Sequence, residues 1–436
     1  MLATLAVLAG AAAVLSVSIV SVRTRVRNFH RKRAEAMERL AGYTASEFRR
    51  RFRMSRDRFQ IILEDIRPKI EPMTAVAIAR AIASSGSIVN AELRLAATLR
   101  IASGGSYLDA GDLCAIHPES IMETTFWPVC KAIAESTHAE LDTIHFPFED
   151  EMQLRYHEAT FKKHGGQHFP GTVAAGDGCG LCIEKPSDKE VGGNVKDHHT
   201  RKYEFAYGFL LFCDGHNHIM SVEATHVASA HDAAMYDISR VHSAIEERRL
   251  PKWAHVLLDS AFACTEQELV PWPTPKHGLS SDKDAFNWKL SQQRQAVERT
   301  FGLLYARWGI LWRPLRVNFD RLSLLLHCLC RLHNFCMKDK HIANLSTIQD
   351  IAHEEDHRWK RGDGSGHMRL LLAQAQNPST LRQGARTDRE SSRRVEITSV
   401  LHQNNIKRPS ISAVAETVAM IRLENVYLSQ GMSVRS

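Results

Sequence analysis

Three acids in this 436-residue chain have the residue types and settings for metal-assisted chemistry on phosphate esters. Asp177 closes the apolar run Thr172-Val173-Ala174-Ala175-Gly176, and Asp259 closes His255-Val256-Leu257-Leu258. Glu298 lies in a stretch whose apolar residues Val297, Phe301, Leu304 and Trp308 recur at helical spacing. Separations of 82 and 39 residues leave room for return strands, a helix and a connecting loop. Hard cations such as Mg²⁺ or Mn²⁺ prefer carboxylate oxygen and keep several waters, so three carboxylates can share two ions with a phosphodiester. Without cations the three acids repel one another. The plainer alternative for Glu298 is an ion pair with Arg294 four residues earlier.

The elements that must position these acids are partly legible. Gln292–His333 reads as an amphipathic helix followed by a second apolar segment. Phe205–Cys213, a turn Asp214–His218 and Ile219–Ala224 read as a β-hairpin, and a helix is expected after His231-Asp232. Asp177-Gly178 is expected to turn the chain at the end of the first strand. The pattern gives a mixed α/β fold. Before it, Phe59, Ile62, Leu63 and Ile66 form a helical stripe closed by Pro68, and Leu93–Ile101 and Tyr107–Ile116 predict two further helices. Ser120 and Glu123 form a capping box for a third helix that buries Met122, Phe126, Val129 and Ile133. Thr124, Thr125, Trp127 and Lys131 would then face outward, as in a helix-turn-helix entering a DNA groove.

Composition is that of an ordinary globular protein, with 44% hydrophobic and 24% charged residues. A net charge of +7 permits a nucleic-acid partner without requiring one. Nine cysteines in no regular framework fit reduced thiols, and the single Cys179–Cys182 pair lacks the second pair a structural zinc needs. Residues 1–22 carry no charged side chain and precede an arginine-dense arm, 23–58, that includes Arg49-Arg50-Arg51. The apolar segment is compatible with a membrane anchor or with a helix packed on the fold. The arm is compatible with nuclear import or phosphate binding. Beyond residue 339 the sequence is polar and reads as a partly disordered tail, with a short helix near Val395–Leu401.

ERTFGLLYARWGIL (298–311), FPGTVAAGDG (169–178), LLDSAFA (257–263), SAHDA (229–233) and RLHN (331–334) together resemble the PIF/Harbinger transposases, over roughly Asp57 to Met337. The resemblance implies an RNase H-like catalytic domain, a mixed sheet flanked by helices, over 169–338. An all-α helix-turn-helix region over 23–168 would precede it, with an apolar segment 1–22 before that and a tail 339–436 after. It further implies DDE endonuclease chemistry at Asp177, Asp259 and Glu298 with Mg²⁺ or Mn²⁺, and DNA at transposon ends as substrate. A nuclear location, a Myb-like accessory protein and homo-oligomers are implied as well. Arg201-Lys202 aligns with a basic block suited to phosphate, joining Arg49, Arg50, Arg51 and Lys131 as candidates for binding DNA. The chain departs from the family pattern at Cys179-Gly180, Leu258 and Phe262-Ala263. Leu303 and Tyr305 replace a basic pair, which would weaken the grip on DNA.

Overall fold

The computed structural model describes residues 32–71, 88–191, 195–199, 205–225, 232–338 and 391–409, with a few positions between 74 and 82. The expectations for 1–22, Arg201, Lys202, His231 and most of 339–436 lie outside the described residues.

A five-stranded sheet runs β3-β2-β1-β4-β5, with β1 Thr172–Cys182, β2 Ala206–Cys213, β3 Ile219–Thr225, β4 His255–Leu257 and β5 Glu268–Leu269. β1, β2 and β3 are antiparallel, whereas β4 and β5 run parallel to β1. This mixed sheet flanked by helices is consistent with an RNase H-like fold. β1 is longer than expected. It continues through Asp177 and Gly178, which pair with Leu211 and Leu210, so the anticipated turn does not form. The ladder to β2 holds the glycine-rich half of β1 extended. At Gly176 a Cβ would stand 2.2 Å from the Phe212 ring, so only glycine admits that packing beside Asp177.

Both faces of the sheet are buried, as alternation along the strands requires. Ala175, Phe209, Leu211 and Leu257 belong to the core on one face; Val173, Leu210, Phe212, Val256 and Leu258 belong to the core on the other. The first face is covered by the helix Ser281–Arg307, whose Phe301 ring meets Phe209 edge-on at 5.8 Å. Val297, Leu304 and Trp308 are fully buried, as their spacing foretold.

Leu303 and Tyr305 are buried too, and the Tyr305 hydroxyl reaches the Gly180 carbonyl at 3.4 Å. Tyr305 thereby holds β1, whereas Leu303 packs with Ala306, Trp312 and Met337. The helix Phe319–Met337 then carries Arg331, His333 and Asn334 as clamps. Arg331 donates to the carbonyls of Ala134, Ser136 and Leu141. Asn334 holds both backbone groups of Ile219, at 2.8 Å each. The RLHN block therefore ties the sheet to the helices that precede it.

Residues 23–31 of the basic arm also lie outside the described residues; from residue 32 on, the arm is part of the packed helices. Of the arginines, Arg33 donates to the Ala115 carbonyl, Arg56 to carbonyls near Leu40 and Tyr43, and Arg58 to Glu140. Helix Arg56–Ile70 runs two residues past Pro68, and its stripe Phe59, Ile62, Leu63 and Ile66 is buried. The third helix starts at Pro118, capped by His117, and not at Ser120, whose hydroxyl instead donates to the His117 carbonyl. Glu123 pairs with Arg321 at 2.5 Å, so the expected capping box is absent. A π-helical turn over Met122–Phe126 widens the helix before it continues as Trp127–Ala134. That extra residue per turn rotates the faces: Phe126, Val129 and Ile133 are buried as expected, but so are Thr125 and Trp127, leaving Thr124 and Lys131 exposed.

Residues 392–403 form the helix anticipated near Val395, and it docks on the helix Ser281–Arg307. Arg394 is fully buried and lies 3.7 Å over Trp272, whose indole donates to Thr398.

Candidate active site

β1 and β4 are parallel neighbours with Ala175 opposite Leu257. Two residues further along each lie Asp177 and Asp259. Period-two alternation puts both aspartates on the face of Ala175 and Leu257, which the Ser281–Arg307 helix covers. That helix brings Glu298 and, one turn earlier, Arg294 over the same end of the sheet.

Arg294 joins the acids. Its Nη2 donates to Asp177 Oδ2 at 3.0 Å, and its Nη1 stands 3.9 Å from Asp259 Oδ1. The Arg294 side chain is 9% exposed, and those of Asp177 and Asp259 are 23% and 20% exposed. Burial is the largest influence on the guanidinium and acts to lower its pKa. Asp177, Asp259 and Glu298 together outweigh it and raise the value.

Glu298 does not form the alternative helical ion pair with Arg294; its Oε2 is buried without a hydrogen-bond partner. Burial, and repulsion from Asp259, push its carboxyl above the usual range, against the opposing pull of Arg294. An orphaned, partly charged oxygen is costly in an apolar setting, so this atom calls for a cation or a proton.

Among the described residues, no three His, Cys, Asp or Glu side chains stand as a ready metal cage. The donor set nevertheless suits a hard cation: three carboxylates, one with an unsatisfied buried oxygen, already gathered about positive charge. Cys179 turns toward Tyr305, with Sγ 3.8 Å from the hydroxyl, in keeping with a packed thiol.

Residues 176–334 match the family model of the DDE superfamily endonucleases. The match begins next to Asp177, ends at Asn334 of the clamp and contains all three acids. Neither the curated proteins nor the solved structures hold a match to the chain. The matched segment runs from within β1 to near the end of the helix Phe319–Met337.

The other candidate residues lie elsewhere. Lys131 is exposed and 3.9 Å from Glu135. Arg50 is exposed, Arg49 is half-buried, and the Arg51 guanidinium rests 4.7 Å over Tyr43. Two features of the site escape a reading of the sequence. Helical spacing offers Arg294 to Glu298 and says nothing of the strands, so the partnership with the aspartates is hidden. Arg299 lies in the ERTFGLLYARWGIL block beside Glu298, but nothing in that pattern shows that it lines a cleft. Among the described residues no helix is long and apolar enough to cross a membrane.

Proposed function

We propose that the protein is a metal-dependent DNA endonuclease of the PIF/Harbinger transposase type. The supporting observation is that two aspartates from adjacent parallel strands, and a glutamate from the helix covering them, gather around one guanidinium. DDE endonucleases generally use divalent metal ions. When bound, Mg²⁺ or Mn²⁺ would activate the attacking water or 3′-hydroxyl and stabilise the leaving oxygen of an in-line displacement. Asp177, Asp259 and Glu298 would hold the ions. Arg294 keeps the two aspartates aligned and limits their mutual repulsion. The helices before the sheet would act as the helix-turn-helix that sets register on DNA. Arg49, Arg50, Arg51, Lys131, Arg201 and Lys202 would bind backbone phosphates. Transposon ends, a nuclear site of action, a Myb-like accessory protein and self-association complete this reading.

Cleavage of a DNA duplex bearing the element's terminal repeats, with Mg²⁺ or Mn²⁺, tests it. Asp177→Asn, Asp259→Asn and Glu298→Gln should each abolish cutting while leaving folding intact. One specific observation favours a second reading, in which the fold binds DNA without cutting it: Arg294 already neutralises the acids. Wild-type protein that binds those ends yet never nicks them with either ion, accessory protein included, would establish that reading instead.

A further inference from the structure

A cleft of about 360 Å³ opens beside the acid cluster on a different face of the same helix. Gln292, Gln295, Ala296 and Arg299 line it. They fall at helical spacing, so they form one stripe along the wall. The opposite wall is the end of helix Glu151–Lys163, with His164 just beyond it, and the hairpin turn after β2. Gly215 permits that approach, because a Cβ there would stand 2.7 Å from the Thr160 carbonyl group.

The electrostatics of this cleft are one-sided. Arg299 is half-buried and makes no hydrogen bond or ion pair with any described residue. The His164 ring sits 5.3 Å from that of His216. Burial first, and then His216, Arg299 and Lys163, hold His164 below its ordinary range. Asp214 is the acid nearest these groups, and its carboxylate is already occupied. It binds His157 at 3.1 Å and accepts the backbone N–H groups of His216 and His218. Glu298, next along the helix, attracts the Arg299 guanidinium and is repelled by Asp259, but it is not among the residues lining the cleft. A half-buried guanidinium that faces imidazoles and amide side chains, with no carboxylate among the described residues lining the cleft, is arranged for an anion.

We propose that this cleft is a phosphate-binding subsite, with Arg299 as its principal ligand, aided by the amides of Gln292 and Gln295 and by His164. Its size admits one phosphate with part of a nucleotide. The phosphate comes either from the DNA backbone or from a free phosphate compound. In the first case the proposal rests on the nuclease reading; in the second it stands alone. A subsite next to Glu298 would hold the strand at a fixed distance from the acids, making Arg299 a positioning residue for the scissile bond.

The test uses the full chain and three variants: Arg299→Gln, which removes the charge with little change in volume, Gln295→Glu, which puts a carboxylate in the cleft, and, as control, Lys252→Gln, which removes an exposed charge outside the cleft. Binding is titrated with inorganic phosphate, followed at the His164 ring by NMR, and with a short labelled duplex, followed by anisotropy without divalent ions. Removing a charge-assisted hydrogen bond weakens binding about tenfold or more. If both cleft variants weaken phosphate and duplex binding to that extent while Lys252→Gln does not, the cleft holds a DNA phosphate. If they weaken phosphate binding alone, the ligand is a free phosphate compound. Folded variants that bind both probes like wild type, or wild-type protein that ignores millimolar phosphate, would overturn the proposal. Because no readout needs turnover, a cleft that fails is distinguishable from an enzyme that does not cut.

Discussion

Arg294 binds Asp177 across 117 residues of sequence, Nη2 to Oδ2 at 3.0 Å, in preference to Glu298 one helical turn away. The guanidinium therefore acts as an internal counter-ion for the acid cluster. Arg294→Met should destabilise the metal-free protein by about 2–3 kcal/mol, less than for a wholly buried pair because both aspartates are partly exposed. The same variant should bind Mn²⁺ more tightly than wild type, since the ions would no longer compete with a tethered cation. Urea denaturation and Mn²⁺ titration measure the two effects. Unchanged stability would show that the pairing has no energetic role.

His333 predicts an acid sensitivity. Burial, and then the nearby Arg307, push its imidazole down to about 3 from 6.5, so the ring is neutral in the folded state. Its Nε2 donates to the Asn217 carbonyl at 3.0 Å. A depressed histidine contributes stability that is complete above the unfolded pKa and is lost as pH falls below it. Between pH 7 and pH 5 the loss from this one ring should be about 2 kcal/mol. His255 and His327 are lowered by burial as well and add to the slope. His333→Gln keeps a donor for Asn217 and should remove about 2 kcal/mol of the pH dependence. Denaturation curves at the two pH values decide the matter; an identical slope in the variant would rule out His333 as its source.

The docked helix Ser392–Gln403 should contribute measurably to the stability of the sheet and the helix that covers it. Trp272 is held between Arg394 at 3.7 Å and the Lys283 ammonium at 4.0 Å, and Asn287 clamps its backbone. Arg394→Ala removes the stacked guanidinium and its apolar stem and should cost about 2 kcal/mol. A thermal melt of the full chain is enough to check this, and an unshifted midpoint would mean the helix is dispensable.

Under the proposed function, Arg49, Arg50 and Arg51 contact DNA. Arg33, Arg56 and Arg58, by contrast, serve carbonyls or Glu140 within the fold. Each neutralised phosphate adds about 0.9 to the steepness with which log affinity falls against log salt. Replacing all three arginines with Ala should weaken duplex binding and flatten that slope by about two to three units, read from titrations over a range of salt. An unaltered slope would mean that this helix does not touch DNA.

The acids, the hairpin, the buried stripe of the glutamate helix and the helix near Val395 are legible in the sequence. Each depends on local pattern: apolar runs of strand length, turn residues, and apolar spacing of three and four. What the sequence leaves undetermined depends on register between distant segments. Asp177 reads as the end of a strand because glycines follow it, yet pairing with β2 extends that strand to Cys182. Thr125 and Trp127 fall on the solvent side of a regular α-helix, but a π turn interrupts the period and buries them. Leu303 and Tyr305 stand where the resembling family has a basic pair, and only the tertiary fold shows that both are buried. The choice of Arg294 for the aspartates, and the open cleft at Arg299, follow from the parallel pairing of β1 and β4 and from the seating of the helix over them. Local sequence specifies which residues are charged. Which charges meet is settled by long-range packing, because burial makes the nearest opposite charge in space outweigh the nearest one along the chain.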